Sequence, residues 1–254
     1  RGLMNIQFVI TKEDGQSKVY ILEVNPRGSR TVPFLSKVTG VPMVDVAVKI
    51  MLGKSLKEQG YEGGLWPARP LVAIKAPVFS MAKLIGVDTY LGPEMKSTGE
   101  VMGIDHNFSG ALTKALMAAG LALPPEGNIL LSIADRDKAE ALPLIRKLNA
   151  IGYHFYATEG TAAMIEAAGL PVKLISKKLG KGHPNIVDIV RNGTVVGVIN
   201  TSTGDRAPLR DGFHIRRAAA EKRVPCFTSL DTAKSAIEAL SNKGSNYSIK
   251  TVAE

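Results

Sequence analysis

Residues 19–33, VYILEVNPRGSRTVP, carry the most information in this chain. Val19, Ile21 and Val24, with Tyr20 and Leu22, are β-branched, aromatic or large apolar residues and predict a short buried strand. Alternate side chains of an extended backbone share a face, so Glu23, Asn25 and Arg27 are expected together on one side. Pro26 removes a backbone donor, which suits the strand's end, and Gly28 permits a tight exit. Arg30 follows closely enough to share the pocket. A carboxylate beside an amide oxygen suits Mg²⁺, a hard ion that takes oxygen ligands and keeps substrate phosphates as the rest. Two guanidinium groups suit a small planar anion or a phosphoryl group in transfer. The same spacing also fits an ion-pair cluster at a strand's end on a surface.

Upstream, Leu3, Asn5 and Gln7 alternate with Met4, Ile6 and Phe8, so residues 3–10 read as a second strand. Residues 11–18, TKEDGQSK, form a polar loop with Asp14-Gly15 as its turn signal. The two strands then pair antiparallel, and Gln7 is placed to face Glu23 and Asn25; read alone, it is equally a plain strand amide.

From Pro42 to Leu52 apolar residues recur at helical spacing, and Gly53 ends the run. Residues 54–70 are broken by Gly60, Gly63, Gly64, Pro67 and Pro70, with Trp66 expected as a buried anchor. LVAIKAPVF, 71–79, reads as a strand ended by Pro77. In 83–103, Glu94, Lys96, Ser97, Thr98 and Glu100 crowd into a glycine-containing loop that reads as a polar surface. Residues 106–119 form an amphipathic helix, and Pro124-Pro125 marks a stiff linker and a domain boundary near 124.

Beyond it strands and helices alternate. Strands are expected at 128–134, 154–157, 172–175, 194–200 and 225–228, and helices at 135–152, 161–168, 184–192, 212–222 and 230–240. Such alternation with short links predicts a doubly wound parallel sheet. Ligands of such sheets bind at the carboxyl ends of strands, over helix N-termini. Ser132 ends the first strand and Lys138 lies in the first turns of its helix; Thr158, Gly160 and Thr161 follow the second strand, Lys177 and Lys178 the third, and Asn200, Ser202 and Thr203 the fourth. Individually these read as caps, turn residues and solvated charges. Gathered at one sheet edge, they read as a phosphate pocket.

A chain of 254 residues that is 45% hydrophobic can bury one large or two modest cores. The net charge of +9 raises nucleic acid as a partner, but aromatics are only 6% and no basic stripe interleaves with them. Anionic small molecules account for the charge equally well, so no nucleic acid is expected. The one cysteine, Cys226, lies in the apolar run VPCF and reads as a buried small hydrophobe, with no disulfide framework or metal pattern. No signal peptide heads the chain, and no apolar run approaches the roughly 20 residues of a membrane span. The expectation is a cytoplasmic protein without a membrane partner.

EVNPRGSRTVPF, with GLMNIQF upstream and KSTGEVMG downstream, resembles the large subunit of carbamoyl phosphate synthetase. More narrowly it is similar to the second of that subunit's two ATP-grasp halves, which reads EVNPR then RTVPF where the first reads EMNPR then RSSAL. The resemblance implies an α/β fold: an incomplete C-terminal ATP-grasp piece with an antiparallel or mixed sheet over 1–105, a connecting helix and linker over 106–124, and a Rossmann-like methylglyoxal-synthase-like regulatory domain over 125–254. It implies that Gln7, Glu23 and Asn25 hold Mg²⁺ or Mn²⁺ on the phosphates of ATP, while Arg27 and Arg30 stabilise carbamate and the transferring phosphoryl group. The whole enzyme of this family uses two ATP to join bicarbonate to glutamine-derived ammonia, for arginine and pyrimidine biosynthesis. Its partner is a glutamine amidotransferase small subunit, and the assembly is an oligomer. The ATP-binding lysine and glycine-rich loop of the family lie upstream of these residues, so the sequence reads as a C-terminal piece expected to be inactive alone.

The second half is similar to the family's effector-binding domain, which implies that Ser132, Lys138, Thr158, Gly160, Thr161, Lys177, Asn200 and Ser202 bind an allosteric nucleotide such as UMP. Ser202 stands where many members carry Thr. Ornithine-activated members carry Glu after the lysine of a VKE strand and Tyr near the last strand; Ala76 follows Lys75 here and Cys226 stands near the Tyr position, which predicts no ornithine response. Two alternatives stay open: a ligand-binding regulatory module alone, or a different ATP-grasp ligase fused to a methylglyoxal-synthase-like enzyme that eliminates phosphate from dihydroxyacetone phosphate. No match to that enzyme's aspartate-bearing GGD-type motif is present.

Overall fold

The computed structural model describes residues 1–83, 89, 91, 95–176, 184–202, 209–241 and 248–249. It divides into two compact units, Arg1–Leu71 and Val72–Glu254.

In the first unit β1 (Asn5–Glu13) and β2 (Gln16–Asn25) pair antiparallel. Their turn is only two residues long, with Asp14 at φ 51° and Gly15 at φ 77°, the left-handed pair that matches the twist of a tight hairpin. Two helices follow, α1 (Thr31–Thr39) and α2 (Met43–Met51). No element is expected from the sequence over residues 31–39; Pro33 lies in the first turn of α1, where its missing N–H costs the helix nothing. Gly40 ends α1 in the left-handed conformation, φ 76°.

The expectation that 19–24 form a buried strand is half right. The strand exists, but Ile21 is 62% and Leu22 63% exposed, with Phe8, Ile10, Val19 and Val24 exposed beside them. A two-stranded hairpin offers two faces, and within this unit the helices do not cover these side chains. Trp66 is a second correction: it is about half exposed (49%), its indole N–H donating to the Thr39 carbonyl at 3.1 Å and its ring tilted against Tyr61.

The second unit begins with β3 (Val72–Val78) and β4 (Gly99–Asp105), paired antiparallel. β4 lies in what reads as a loop; Val101 and Gly103 alternate with Met102 and Ile104, a strand pattern that the preceding polar cluster obscures. Pro77 lies inside β3, opposite Glu100, rather than ending it. α3 (Phe108–Ala119) starts at Asn107, whose side-chain oxygen accepts the Gly110 N–H at 2.8 Å.

Five parallel strands follow: β5 (Asn128–Ser132), β6 (His154–Ala157), β7 (Lys173–Leu174), β8 (Gly197–Asn200) and β9 (Cys226–Phe227). Their order in the sheet is β7-β6-β5-β8-β9. The intervening helices are α4 (Lys138–Ala150), α5 (Glu159–Ala167), α6 (Ile186–Arg191), α7 (Leu209–Lys222) and α8 (Leu230–Ser241). Strand side chains alternate between two cores: Ile129 and Leu131 pack with α4, α5 and α8, while Leu130 and Val198 pack with α6 and α7. The fold is therefore α/β and doubly wound. Cys226 is only half-buried against the second core.

Leu112, Leu116 and Leu123 belong to the first of these cores, with Ile74 of β3 packed against it. The sequence boundary near 124 thus falls within the second compact unit, where the Tyr153 hydroxyl donates to the Pro124 carbonyl. Among the described residues, no helix is long and apolar enough to cross a membrane.

Candidate functional site

Two clusters of expected site residues form, one in each unit. In the hairpin, Gln7 stands directly opposite Glu23, and Asn5 opposite Asn25. This arrangement depends on an irregularity that period-two reasoning misses. Phe8 pairs with Ile21 while Gln7 pairs with Glu23, so Leu22 is an extra, unpaired residue on β2. The bulge shifts the phase of the strand. On one face lie Ile6, Phe8, Ile10, Val19, Ile21 and Val24; on the other lie Asn5, Gln7, Val9, Tyr20, Glu23 and Asn25. Without the bulge, Glu23 and Asn25 would share the apolar face with Val19 and Ile21.

The Asn25 side-chain amide donates to Glu23 Oε1 at 2.8 Å. Arg27 does not continue the alternation: β2 ends at Asn25, and the Arg27 N–H folds back to the Asn25 carbonyl at 2.8 Å around Pro26. Arg27 Nη1 lies 3.3 Å from the Gly28 carbonyl, and Arg30 occupies the N-cap position of α1; both side chains are exposed. Among the described residues, no group of three or more His, Cys, Asp or Glu side chains gathers anywhere. One carboxylate and two amides fit Mg²⁺ held chiefly by substrate phosphates, not an ion caged by protein alone.

The second cluster lies at the carboxyl edge of the parallel sheet. β5 is central, and the chain runs from it to β6 on one side and later to β8 on the other. Between β5 and β8 the strand order reverses, which is where such sheets open a crevice. Ser132 and Asn200, the last residues of these two strands, are register partners there. Both are buried, as are Thr158 and Thr161. The Thr161 hydroxyl accepts the Ile133 N–H at 3.0 Å and lies 3.5 Å from the Thr158 hydroxyl, so it ties α5 to the end of β5. Thr158 is the N-cap of α5, yet its side chain makes no capping bond. A Cβ added at Gly160 would stand 3.1 Å from Lys138 Nζ, which places this ammonium over the start of α5. Lys138 also pairs with Asp135 at 2.7 Å and holds that carboxyl below its ordinary pKa. Lys177, Lys178, Thr203 and Glu94 lie outside the described residues.

Three further residues complete this edge. The Thr201 hydroxyl accepts the Ala134 N–H at 2.9 Å, and an Arg136 guanidinium N–H donates to the Ser202 carbonyl at 2.8 Å. These bonds clamp the loops after β5 and β8 together. Arg216 of α7, 1% exposed, donates through Nη1 to Asn200 Oδ1 at 2.8 Å. A buried arginine in a helix cannot be told from a solvated one by its neighbours in sequence. The edge gathers groups that suit an anion: an ammonium, a helix start without a side-chain cap, and small residues that let a ligand approach.

Two segments of the chain match known families. Residues 1–59 match the family "Carbamoyl-phosphate synthase L chain, ATP binding domain", and residues 140–228 match the "MGS-like domain". The carbamoyl phosphate synthase large chain of Thermomicrobium roseum is 58% identical over 250 residues, 98% of this chain. The chain spans 23% of the length of that relative.

Proposed function

We propose, on the premise that this chain is a homologue of the carbamoyl phosphate synthase large chain over nearly its whole length, that it joins part of a carbamate-phosphorylating site to an effector-sensing domain. The ATP-binding segment and the kinship imply ATP as the nucleotide. The pairing of Ser132 with Asn200 at the switch point, beside Lys138 over Gly160, carries the reading of the second unit as a pocket for a nucleoside monophosphate. Its phosphate sits against Lys138 and the start of α5, with Thr158, Thr161, Asn200 and Ser202 around the ligand; Lys177 is carried over by resemblance alone as a further phosphate contact.

In the hairpin, Glu23 with Gln7 and Asn25 would hold Mg²⁺ or Mn²⁺. The ion, when bound, neutralises and orients the phosphates of ATP. Arg27 and Arg30 bind carbamate and the developing charge on the phosphoryl group, and no protein nucleophile is needed. The complete enzyme draws ammonia from glutamine through an amidotransferase small subunit, spends two ATP per cycle, assembles as an oligomer and works in the cytoplasm. These residues alone are inactive toward ATP and carbamate. Lys75 is engaged by Glu100 at 3.2 Å and Ala76 offers no carboxylate, so ornithine finds no ammonium site there.

The test is calorimetric titration of this chain with UMP, with IMP and inorganic phosphate for comparison. Saturable binding that is lost in Lys138→Ala and Lys177→Ala supports the pocket. Binding by both variants as tight as that of the unaltered chain, or phosphate release from dihydroxyacetone phosphate, refutes it as a sensor.

A further inference from the structure

We propose that Arg216 is a positioning residue that locks the Asn200 amide in one orientation, so that the strand-edge pocket offers a donor there and selects ligands presenting an oxygen acceptor. The inference rests on the pocket reading given above and adds the chemical class that the pocket admits.

A side-chain amide can present either its oxygen or its nitrogen, and neighbours decide which. Both neighbours of Asn200 agree. The guanidinium of Arg216 has only donors, so the atom 2.8 Å from Nη1 must be Oδ1. The Ser132 carbonyl has only lone pairs, and Nδ2 lies 3.3 Å from it. Turning the amide over would set N–H groups against the guanidinium and oxygen against oxygen. Nδ2 carries two hydrogens and the Ser132 carbonyl takes one at a long distance, so among the described residues the other has no protein acceptor.

The site is built for this contact. Arg216 is among the most deeply buried large side chains of the chain, and Asn200 is 4% exposed. A Cβ at Gly212 would fall 2.5 Å from Arg216 Nη1 and 3.2 Å from Asn200 Oδ1, so only glycine leaves room for the guanidinium to reach the amide. The adjacent Arg217 turns elsewhere, to Glu221 at 2.9 Å and to the Met81 carbonyl at 2.9 Å. The role therefore falls to Arg216 alone of the pair. A phosphate oxygen or a base carbonyl meets the Asn200 N–H; an amino group does not.

The experiment titrates UMP and inorganic phosphate into the full chain and into Arg216→Gln, Arg216→Lys, Asn200→Ala and Arg216→Gln/Asn200→Ala. Asn200→Ala should weaken UMP binding about tenfold, one hydrogen bond's worth. Arg216→Gln, which can face Asn200 with oxygen or nitrogen, should do nearly the same. Arg216→Lys, which keeps a charged donor, should retain most of the affinity, and the double variant should be no worse than Asn200→Ala. Wild-type affinity in Arg216→Gln, or additive losses in the double variant, overturns the proposal while leaving the pocket intact. Failure of the unaltered chain to bind either ligand overturns the pocket and this role together. Should Arg216→Gln not fold, by circular dichroism, Gly212→Ala displaces the guanidinium without removing it, and unchanged affinity there is equally fatal.

Discussion

Lys114 Nζ lies 2.9 Å from Asp105 Oδ2, an ion pair between a half-buried ammonium and a buried carboxylate that fastens the end of β4 to the middle of α3. The same carboxylate accepts the His106 N–H at 2.7 Å and both the N–H and the hydroxyl of Ser248, at 3.0 and 3.2 Å. Lys114 donates in turn to the Ile104 carbonyl at 2.6 Å. The bond from Lys114 is the largest of the influences that hold Asp105 well below the usual carboxylate range, against the opposing effect of burial.

Asp105→Asn should cost about 3 kcal/mol at neutral pH, because it leaves the Lys114 ammonium without its counter-charge. A carboxyl whose folded pKa is depressed stabilises fully above its unfolded pKa, near ~4, and loses that contribution as the pH falls toward the folded value. The gap between wild type and variant in urea denaturation should therefore shrink below about pH 4. A gap that widens in acid contradicts the assignment.

Gly103→Ala should destabilise by about 3 kcal/mol or prevent folding. The added Cβ would lie 2.0 Å from the Ala111 carbonyl oxygen and 2.6 Å from the Ala115 nitrogen, both backbone atoms of α3. Neither can swing aside as a side-chain tip does. Thermal melting of Gly103→Ala beside Gly63→Ala, where nothing stands within 4 Å, makes the comparison.

Thr161→Val should lose about 1–3 kcal/mol, since it strands the buried Ile133 N–H, whereas Thr161→Ser should be near neutral. The difference in denaturation midpoint between the two reads the hydroxyl apart from packing. A loss in Thr161→Ser with none in Thr161→Val would assign the effect to the methyl group.

Glu23→Ala should leave the melting temperature nearly unchanged, within about 0.5 kcal/mol, because the side chain is exposed. In the intact large chain it should reduce carbamoyl phosphate formation by about a hundredfold or more. A loss of stability without loss of activity would make Glu23 a structural residue.

The second unit was largely legible because β/α alternation repeats a simple rule: apolar strand, polar link, amphipathic helix. That rule alone sets Ser132, Thr158 and Asn200 at one edge, and the structure brings them there. The hairpin was less legible for two reasons. Its residues favour the strand, but burial depends on what covers it, and Ile21 and Val19 are exposed here. The register also turns on Leu22, an ordinary strand residue that nothing in its side chain marks as unpaired. Arg216 was invisible for a related reason: its burial is decided by Gly212 and Asn200, one on its own helix and one across the sheet. Arg27 was misplaced because Pro26 turns the chain, and alternation holds only while the backbone stays extended.

The unpaired Leu22 also makes β2 tolerant of losing one residue beside the bulge. A chain without it would keep Phe8 beside Ile21 and Gln7 beside Glu23, with the same two faces presented. Removal of Ile21 instead would seat Leu22 opposite Phe8 and leave Gln7 opposite Glu23, again with the flanking faces unchanged. The spacing between the apolar run and Glu23 can therefore shorten by one residue without moving Glu23 from beside Gln7.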